Sequence, residues 1–267
     1  MCAVPSCTIC AIAAASLHVS KKNWALKSFP SKKAAAKRLF CWPTGFFQMF
    51  NPRAAEIILG VKDSPPVPHS RLTPDGLKQR FASPPVWQPE VLREAPLYGR
   101  PAVGASVLIA VVSRPEPTVL LTLRSTHLPV HAGQVAFPGG KWDADDPHAV
   151  GAALREAHEE IGLLPEVVDV LGCLPPYVTG TGFCVTPVVG LVPDGVALTP
   201  NPGEVERVFE VPLHFLMNPQ NHMRQQMVHE GTVRQWYAMP YQHDGTEFYI
   251  WGATGGMLRN FYHFLAA

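Results

Sequence analysis

The sequence predicts an α+β fold, an α/β/α sandwich in which helices flank a mixed β-sheet. After residue 102 the chain has eight runs rich in β-branched and aromatic residues but only two long helical patterns. The hydrophobic fraction is 47%, which is ordinary for a globular protein, and the charged fraction of 16% lies well under the usual figure of about 25%. This composition argues against long disorder and against a coiled coil.

Strands dominate the predicted order of elements. The strand predictions are 105–112, 118–124, 167–173, 183–192, 207–211, 222–228, 233–239 and 247–251. The two helix predictions are Pro147–Ile161 and Ala253–Leu265. For the first of them, Asp146 is predicted to be the N-cap, since an acceptor side chain followed by proline is typical of a helix start, and Gly162 is predicted to end the helix.

Charge divides the chain into two parts. Residues 1–55 hold eight of the 22 Lys and Arg residues and no Asp or Glu, so the remaining residues carry 14 basic against 21 acidic side chains. We predict that residues 1–48 form a leader outside the domain, either an upstream extension of the reading frame or a targeting segment. Its apolar run, residues 2–17, is shorter than the roughly 20 residues that a bilayer span needs, so no membrane association is predicted. The net charge of +1 gives no indication of a nucleic-acid partner.

Residues 49–101 are predicted to form a proline-rich arm, and residues 102–267 the domain itself. Nine of the 28 prolines fall between positions 65 and 101. One short helix is predicted within the arm at 73–81, where Thr73 is a good N-cap, Pro74 suits the first turn, and Leu77 and Phe81 form an apolar i, i+4 pair.

Cysteine usage indicates a reducing compartment. Four of the six cysteines lie in the predicted leader, and Cys173 with Cys184 is too small a set to define a disulfide framework. We therefore predict a cytoplasmic protein, with an organelle as the alternative if the leader is a transit peptide.

Three carboxylates share one face of the helix predicted at 147–161. At about 100° per residue, Glu156, Glu159 and Glu160 fall within an arc about 100° wide. Like charges at this spacing repel one another, and a divalent cation would compensate them. Taken alone, such a pattern is more often a solvated helix face than a metal site.

The residues around this helix favour a metal site over a solvated helix face. The pattern GGx14REAxEExGL, which spans residues 139–163, resembles the signature of the Nudix hydrolases. The resemblance implies a Nudix-type sandwich and a Mg²⁺ or Mn²⁺ ion held by Glu156, Glu159, Glu160 and the backbone carbonyl of Gly140, with Arg155 orienting a carboxylate. The loop before the helix is one residue longer than the usual signature and carries Asp146 where the family has Glu. We interpret Asp146 mainly as a helix cap.

Residues 120–146 narrow the resemblance further. They read LLTLRSTHLPVHAGQVAFPGGKWDADD, which is similar to the LLTxRS and HxGQVxFPGGKxD motifs of coenzyme A pyrophosphatases. The resemblance runs from about residue 70 to the C terminus. It implies hydrolysis of the diphosphate of CoA or a CoA derivative to adenosine 3′,5′-bisphosphate and 4′-phosphopantetheine. CoA carries a diphosphate and a 3′-phosphate, so an enzyme that binds it needs positively charged groups. We predict that the substrate is bound by Arg124, Ser125, His131 and Lys141.

Several assignments stay open at this point. The proton acceptor is predicted among Glu159, Glu160 and Glu204. The alternative activity is hydrolysis of another nucleoside diphosphate conjugate, such as ADP-ribose, a dinucleotide or a nucleoside triphosphate. A non-catalytic binding module of the same fold is the alternative from another class, although it would not need three mutually repelling carboxylates. A homodimer is possible.

Overall fold

The computed structural model describes residues 52–58, 64–97, 101–229 and 231–267. These residues form two β-sheets, two long helices and several shorter elements. The predicted leader, residues 1–48, lies outside the described residues. The strands are β1 Glu56–Ile58, β2 Val103–Ser113, β3 Thr118–Arg124, β4 Val135–Ala136, β5 Gly139–Lys141, β6 Asp169–Cys173, β7 Tyr177–Val178, β8 Phe183–Pro193, β9 Val205–Pro212, β10 Met223–His229, β11 Thr232–His243 and β12 Thr246–Trp251. The helices are α1 His69–Leu72, α2 Pro74–Ala82, α3 Ala149–Ile161, α4 Leu213–Leu216 and α5 Gly252–Ala266, with 3₁₀ turns at Pro52–Ala54, Pro165–Val167 and Pro219–Asn221.

The larger sheet is mixed, as predicted. Its centre is the parallel pair β2 and β8, which stay in register from Val103 opposite Phe183 to Ser113 opposite Pro193. The other pairings in this sheet are antiparallel: β3 joins β2, β4 and β9, β5 joins β2, and β6 and β7 join β8. In this sheet β5 pairs with β2 and contacts the helix α3, while the end of β3 pairs with β4, which precedes β5 in the chain.

Two apolar layers cover the larger sheet, one on each face. On β2, Leu108 and Ala110 belong to the core that includes Ala157 of α3, whereas the alternating Ile109 belongs to the core that includes Phe261 of α5. A strand that is buried on both faces needs no polar side. For this reason the sequences of β2 and β8 are mostly apolar and do not alternate between apolar and polar residues. The prediction of an α+β sandwich with flanking helices is confirmed.

The smaller sheet is antiparallel and has the order β1, β10, β11, β12. Its edge strand β1 comes from the arm and pairs Glu56 with Gln226 and Ile58 with Arg224. Strand β1 was not predicted from the sequence, because three residues are too few to show a period. The arm is therefore not simply extended over the domain but supplies part of a sheet.

The predicted helices are present near their predicted positions, but the N-cap of α3 differs from the prediction. The side chain of Thr73 accepts a hydrogen bond from the amide of Gly76 at 3.1 Å, so the predicted start of α2 is confirmed. The prediction that Asp146 caps α3 is wrong: the N-cap is His148, whose Nδ1 accepts from the amide of Gly151 at 3.0 Å. Gly162 ends α3 in the left-handed conformation with φ 70°, as expected. Among the described residues, no helix combines the length and apolarity needed to cross a bilayer.

Glu90 joins the arm to the last helix. Its carboxylate accepts hydrogen bonds from Arg259 Nε at 2.7 Å, from His263 Nε2 at 2.6 Å and from the hydroxyl of Tyr237. Burial raises the pKa of this carboxyl, but the hydrogen bonds from His263, Tyr237 and Arg259 outweigh burial and hold the pKa well below its usual range. The arm is thus fastened to α5 by a charged group as well as by apolar packing.

A buried histidine beside this network predicts a pH-dependent stability. His222 Nε2 donates to the carbonyl of Leu216 at 2.6 Å, and Arg259 Nη1 lies 3.3 Å from Nδ1, so the neutral ring satisfies both contacts. Burial, together with the charge of Arg259, lowers the pKa of His222 from 6.5 to about 4. The unfolded chain takes up a proton below pH 6.5 while the folded protein does not. We therefore expect the free energy of unfolding to fall by up to about 3 kcal/mol as the pH drops from about 6.5 to 4.

Urea unfolding at a series of pH values measures this slope. His222→Gln is the matched variant, because its amide can donate to Leu216 and accept from Arg259 without titrating. We expect the wild-type protein to lose more stability than the variant between about pH 7 and 4.5. Equal slopes in the two proteins would show that His222 does not carry the effect.

The position of β1 leads to a prediction about truncation. A chain that begins at Met49 keeps Pro52–Ala54 and β1, and residues 1–48 lie outside the family resemblance, so we expect it to be as soluble and as active as the full chain. A chain that begins at residue 64 also loses β1 and the Arg53–Glu247 ion pair of 2.9 Å, and we expect it to melt at a lower temperature. Thermal unfolding and turnover of the three proteins test this. Loss of activity in the Met49 chain would show that the leader contributes to the fold or to the site.

Candidate active site

The carboxylates of α3 are unequal in burial. Glu156 and Glu160 retain only 4% and 3% of their exposure, whereas the side chain of Glu159 is 46% exposed. Buried carboxylates need hydrogen bonds or positive partners, because burial disfavours the charged form. The groups that meet Glu156 and Glu160 therefore define the site.

Arg155 holds several acidic side chains together. Its Nε and Nη2 donate to the two carboxylate oxygens of Asp146 at 3.0 and 2.8 Å. Its Nη1 lies 3.0 Å from Glu156 Oε1 and 3.2 Å from Glu159 Oε1, and Nη2 also donates to the carbonyl of Lys141 at 3.1 Å. The orienting role expected for Arg155 is thus mainly exerted on Asp146. This also explains the correction above: Asp146 binds the arginine and leaves the helix cap to His148.

Two glycines let the backbone of β5 approach the carboxylates. A Cβ atom at position 140 would lie 2.6 Å from the carboxyl carbon of Glu156, and one at position 139 would lie 2.4 Å from the carbonyl oxygen of Ser106. Only glycine fits either place without movement of the neighbours. The amide of Gly139 also donates to Glu160 Oε2 at 3.0 Å. This hydrogen bond was not predicted from the sequence, although an FPGG turn before a carboxylate helix indicates such a close approach.

Glu160 lies among groups that shift its pKa in opposite directions. Burial, with smaller contributions from the charges of Glu156 and Glu204, raises the pKa to about 7, although the hydrogen bond from Gly139 and the charge of Arg124 lower it. Arg124 Nη1 is 3.5 Å from Glu160 Oε1. The side chain of Arg124 is 23% exposed, and its buried Nε has no hydrogen-bond partner in the described part of the chain. The negative charges of Glu156 and Glu204 near Glu160 favour a further positive charge at this place.

The donor set fits a divalent cation. Glu156, Glu159, Glu160 and the carbonyl of Gly140 are hard oxygen ligands of the kind that Mg²⁺ and Mn²⁺ prefer. As the side chains stand, no three His, Cys, Asp or Glu residues within the described ranges are grouped closely enough to hold a metal ion. Arg155 Nη1 pairs with one oxygen, Oε1, of Glu156 and of Glu159.

Backbone hydrogen bonds bring the upstream motif to the carboxylates. The amide of Arg124 donates to the carbonyl of Gln134 at 3.0 Å, and the amide of Gly133 donates back to Arg124 at 3.0 Å. The amide of Ser125 donates to the carbonyl of Glu204 at 3.0 Å. Ser125 itself is buried, and Glu204 is half-buried. The segments 124–134 and 201–204 are thus tied to each other beside Glu160.

His131 and Lys141 lie in different surroundings from Arg124. His131 adopts the left-handed conformation with φ 58°, and its Nδ1 is 2.8 Å from Gln134 Oε1. Burial lowers the pKa of this ring, with a smaller contribution from the charge of Arg124, so His131 does not supply the positive charge expected of it at neutral pH. Lys141 is exposed, and its ammonium lies 5.6 Å from the centre of the Phe183 ring.

The chain is similar in sequence to proteins of one known family. A family model described as the NUDIX domain matches residues 102–230. The protein named "Uncharacterized Nudix hydrolase NudL" from Salmonella heidelberg is 41% identical over 190 residues, which cover 71% of this chain and 93% of the relative. The protein of the same name from Yersinia pestis (strain Pestoides F) is 44% identical over 156 residues, covering 58% of this chain and 76% of the relative.

Solved structures include a Nudix hydrolase from M. smegmatis, RenU. It is 26% identical to this chain, with a TM-score of 0.37, and the match covers 43% of this chain and 73% of that one.

Proposed function

The chain belongs to the Nudix hydrolase family, and on that premise we propose that this pyrophosphohydrolase cleaves the diphosphate of coenzyme A or a CoA derivative. The products would be adenosine 3′,5′-bisphosphate and 4′-phosphopantetheine, or its acylated form. The substrate class rests on the motifs of residues 120–146, which resemble those of coenzyme A pyrophosphatases.

One contact carries the proposal: Arg124 Nη1 lies 3.5 Å from Glu160 Oε1. Arg124 belongs to the LLTLRS motif and Glu160 to the carboxylate helix, so the residues that suggest the substrate meet the residues that suggest the chemistry. A partly exposed guanidinium beside a carboxylate site can bind a phosphate oxygen of the substrate. Alternative nucleoside diphosphate conjugates share the diphosphate, and the assay below distinguishes them.

Within this proposal, Glu156, Glu159, Glu160 and the carbonyl of Gly140 would hold Mg²⁺ or Mn²⁺. A bound divalent ion supplies neutralisation of the diphosphate charge and lowers the pKa of the attacking water. Arg155 keeps Glu156 and Glu159 oriented by its hydrogen bonds, and Gly139 orients Glu160. Arg124 binds an oxygen of the diphosphate and offsets charge on the phosphate that leaves.

Glu204 is our candidate for the carboxylate that takes the proton from water as the water oxygen attacks phosphorus and the bridging P–O bond breaks. Two observations support it over Glu160. Glu204 is half-buried and lies near enough to raise the pKa of Glu160, whereas Glu160 is buried and already accepts a hydrogen bond from Gly139. Its segment is fixed by the hydrogen bonds between Asn201 and Glu204 and between Glu204 and Ser125.

Product analysis tests the proposed substrate. CoA, NADH, ADP-ribose and dGTP are incubated side by side with the full chain and either Mg²⁺ or Mn²⁺, and the products are identified by mass. We expect CoA to be hydrolysed with the highest kcat/KM. Preference for ADP-ribose, NADH or dGTP would overturn the CoA proposal and leave the family activity in place.

Arg124→Ala gives a sharper test of the diphosphate contact. Since Arg124 lies beside Glu160 and not apart from the carboxylates, we expect kcat/KM to fall by about 10- to 150-fold for CoA and for 3′-dephospho-CoA alike. Arg124→Lys keeps the charge and is expected to retain part of the activity. A loss confined to CoA would instead assign Arg124 to the 3′-phosphate, and unchanged kinetics on both compounds would remove it from the site.

A further inference from the structure

A cleft of about 260 Å³ lies between β12 of the smaller sheet and the segment that precedes β4. Leu123 and Phe248 provide apolar surface, and Gln134 lines the side that belongs to the upstream motif. The opposite side is formed by Arg53 and Tyr249. The cleft therefore brings together three parts of the chain, of which only the upstream motif enters the proposed chemistry.

The cleft adjoins the diphosphate site through Arg124. Leu123 precedes Arg124 on β3, and the carbonyl of Gln134 accepts a hydrogen bond from the amide of Arg124 at 3.0 Å. The guanidinium of the same residue contacts Glu160. Because side chains alternate along a strand, the Leu123 side chain in the cleft and the Arg124 guanidinium at Glu160 leave β3 on opposite faces, and β3 ends at Arg124. A ligand whose diphosphate is held at Arg124 would therefore reach the cleft by passing the end of β3.

Strand β12 is the edge strand of the smaller sheet, and residues from both of its faces line the cleft. Because side chains alternate along a strand, Glu247, Tyr249 and Trp251 share one face, while Phe248 and Ile250 are buried on the other. The guanidinium of Arg53 lies 5.2 Å from the centre of the Tyr249 ring, and its Nη1 is 2.9 Å from Glu247 Oε1. The hydroxyl of Tyr249 donates to Gln225 Oε1 at 2.8 Å, which fixes the ring.

These groups select against a phosphate and in favour of a nucleobase. The carboxylate of Glu247 already pairs with Arg53 and would repel a phosphate, but it can accept a hydrogen bond from an amino group. Flat aromatic and guanidinium surfaces bind bases by stacking. The combination of a carboxylate acceptor, a fixed tyrosine and an arginine therefore fits a planar, neutral ring that carries an exocyclic amino group.

We propose that this cleft binds the adenine ring of the substrate, with Glu247 accepting a hydrogen bond from the adenine amino group and Arg53 and Tyr249 contacting the ring face. Adenine as the base in question rests on the proposed function, since CoA carries it. The inference adds a specificity site formed by the arm and β12, outside the carboxylate helix and the motifs that suggest CoA.

Calorimetric binding to the full chain tests the cleft without turnover. The probes are AMP, purine riboside 5′-phosphate, which lacks the amino group, and ribose 5-phosphate, which lacks the base. We expect AMP to bind at least about tenfold more tightly than either of the other two. Equal affinity for AMP and ribose 5-phosphate would show that no base is bound and would overturn the proposal.

Two variants and one control test whether the base binds in the cleft. Arg53→Ala and Glu247→Gln are expected to weaken AMP binding, and Glu247→Gln should reduce the preference for AMP over purine riboside 5′-phosphate. Lys78→Ala is the matched control, because the Lys78–Asp169 pair of 3.2 Å is a surface ion pair of similar exposure that lies outside the cleft. AMP affinity that is the same in all three variants and in the wild-type protein would contradict the assignment.

Kinetics separate failure of this inference from failure of the CoA proposal. If CoA is hydrolysed with the same KM as a CoA analogue whose base lacks the amino group, the cleft assignment is wrong while the substrate proposal holds. If ADP-ribose is the preferred substrate but AMP binding depends on Arg53 and Glu247, the substrate proposal is wrong while the cleft assignment holds.

Discussion

Glu160→Gln is expected to abolish turnover while leaving the fold intact. The change removes the charge of a buried carboxylate that, in our proposal, is a ligand of the divalent ion. Mutation of a group that merely supports a metal ligand costs about 10- to 100-fold in activity, and we expect the loss here to exceed that range. Steady-state hydrolysis of CoA with Mg²⁺ or Mn²⁺ measures it.

The same variant should not be less stable than the wild-type protein in the absence of metal. Burial and the charges of Glu156 and Glu204 raise the pKa of Glu160 to about 7, which shows that its ionised form is disfavoured. A neutral amide relieves this repulsion and can still accept the hydrogen bond from Gly139. The thermal midpoint without metal is therefore expected to hold or to rise.

Two further variants make the result specific. Glu159→Gln should also abolish turnover, although its side chain is 46% exposed, because its proposed role depends on charge and not on burial. Glu206→Gln changes an exposed glutamate on β9 that has no place in the proposed site, and it should retain wild-type rates. Wild-type rates in both Glu159→Gln and Glu160→Gln would show that these carboxylates do not hold the metal.

The sequence predicted the elements that carry a long pattern. Strand β3 occupies 118–124 as predicted, because turn residues bound it closely on the upstream side and its apolar run is unbroken. Helix α3 was predicted from an Asp146-Pro147 start and a Gly162 stop; it ends at Ile161 as predicted and begins at Ala149, two residues later than predicted. In both cases local residues determine the element, so sequence alone is sufficient.

Contacts between distant segments could not be predicted from local sequence patterns. Nothing in the neighbourhood of Asp146 shows that Arg155, nine residues later, will take both of its oxygens, and an Asp before proline looks like a cap. Strand β1 and the short strands β4, β5 and β7 exist because longer strands pair with them. The lowered pKa of His131 likewise follows from burial, which a single sequence does not display.

Arg155→Ala is expected to damage both stability and activity. The side chains of Arg155, Asp146 and Glu156 are 13%, 6% and 5% exposed, so removal of the arginine leaves two nearly buried carboxylates without their main partner. Breaking a buried ion pair in this way costs about 3 to 5 kcal/mol. We expect a large fall in the urea midpoint and turnover below detection, since Glu156 and Glu159 lose the group that orients them.

Arg155→Lys separates charge from geometry. A lysine keeps the positive charge, but its single ammonium cannot reproduce two bonds to Asp146 together with those to Glu156 and Lys141. We therefore expect this variant to recover more of the stability than of kcat. Arg114→Lys is the matched control, because Arg114 also bridges two acids, Asp194 and Glu210, at a place apart from the carboxylate helix, and its kcat should be unchanged. If Arg155→Lys turns over at the wild-type rate, charge alone accounts for the role of Arg155 and the fork of hydrogen bonds is dispensable.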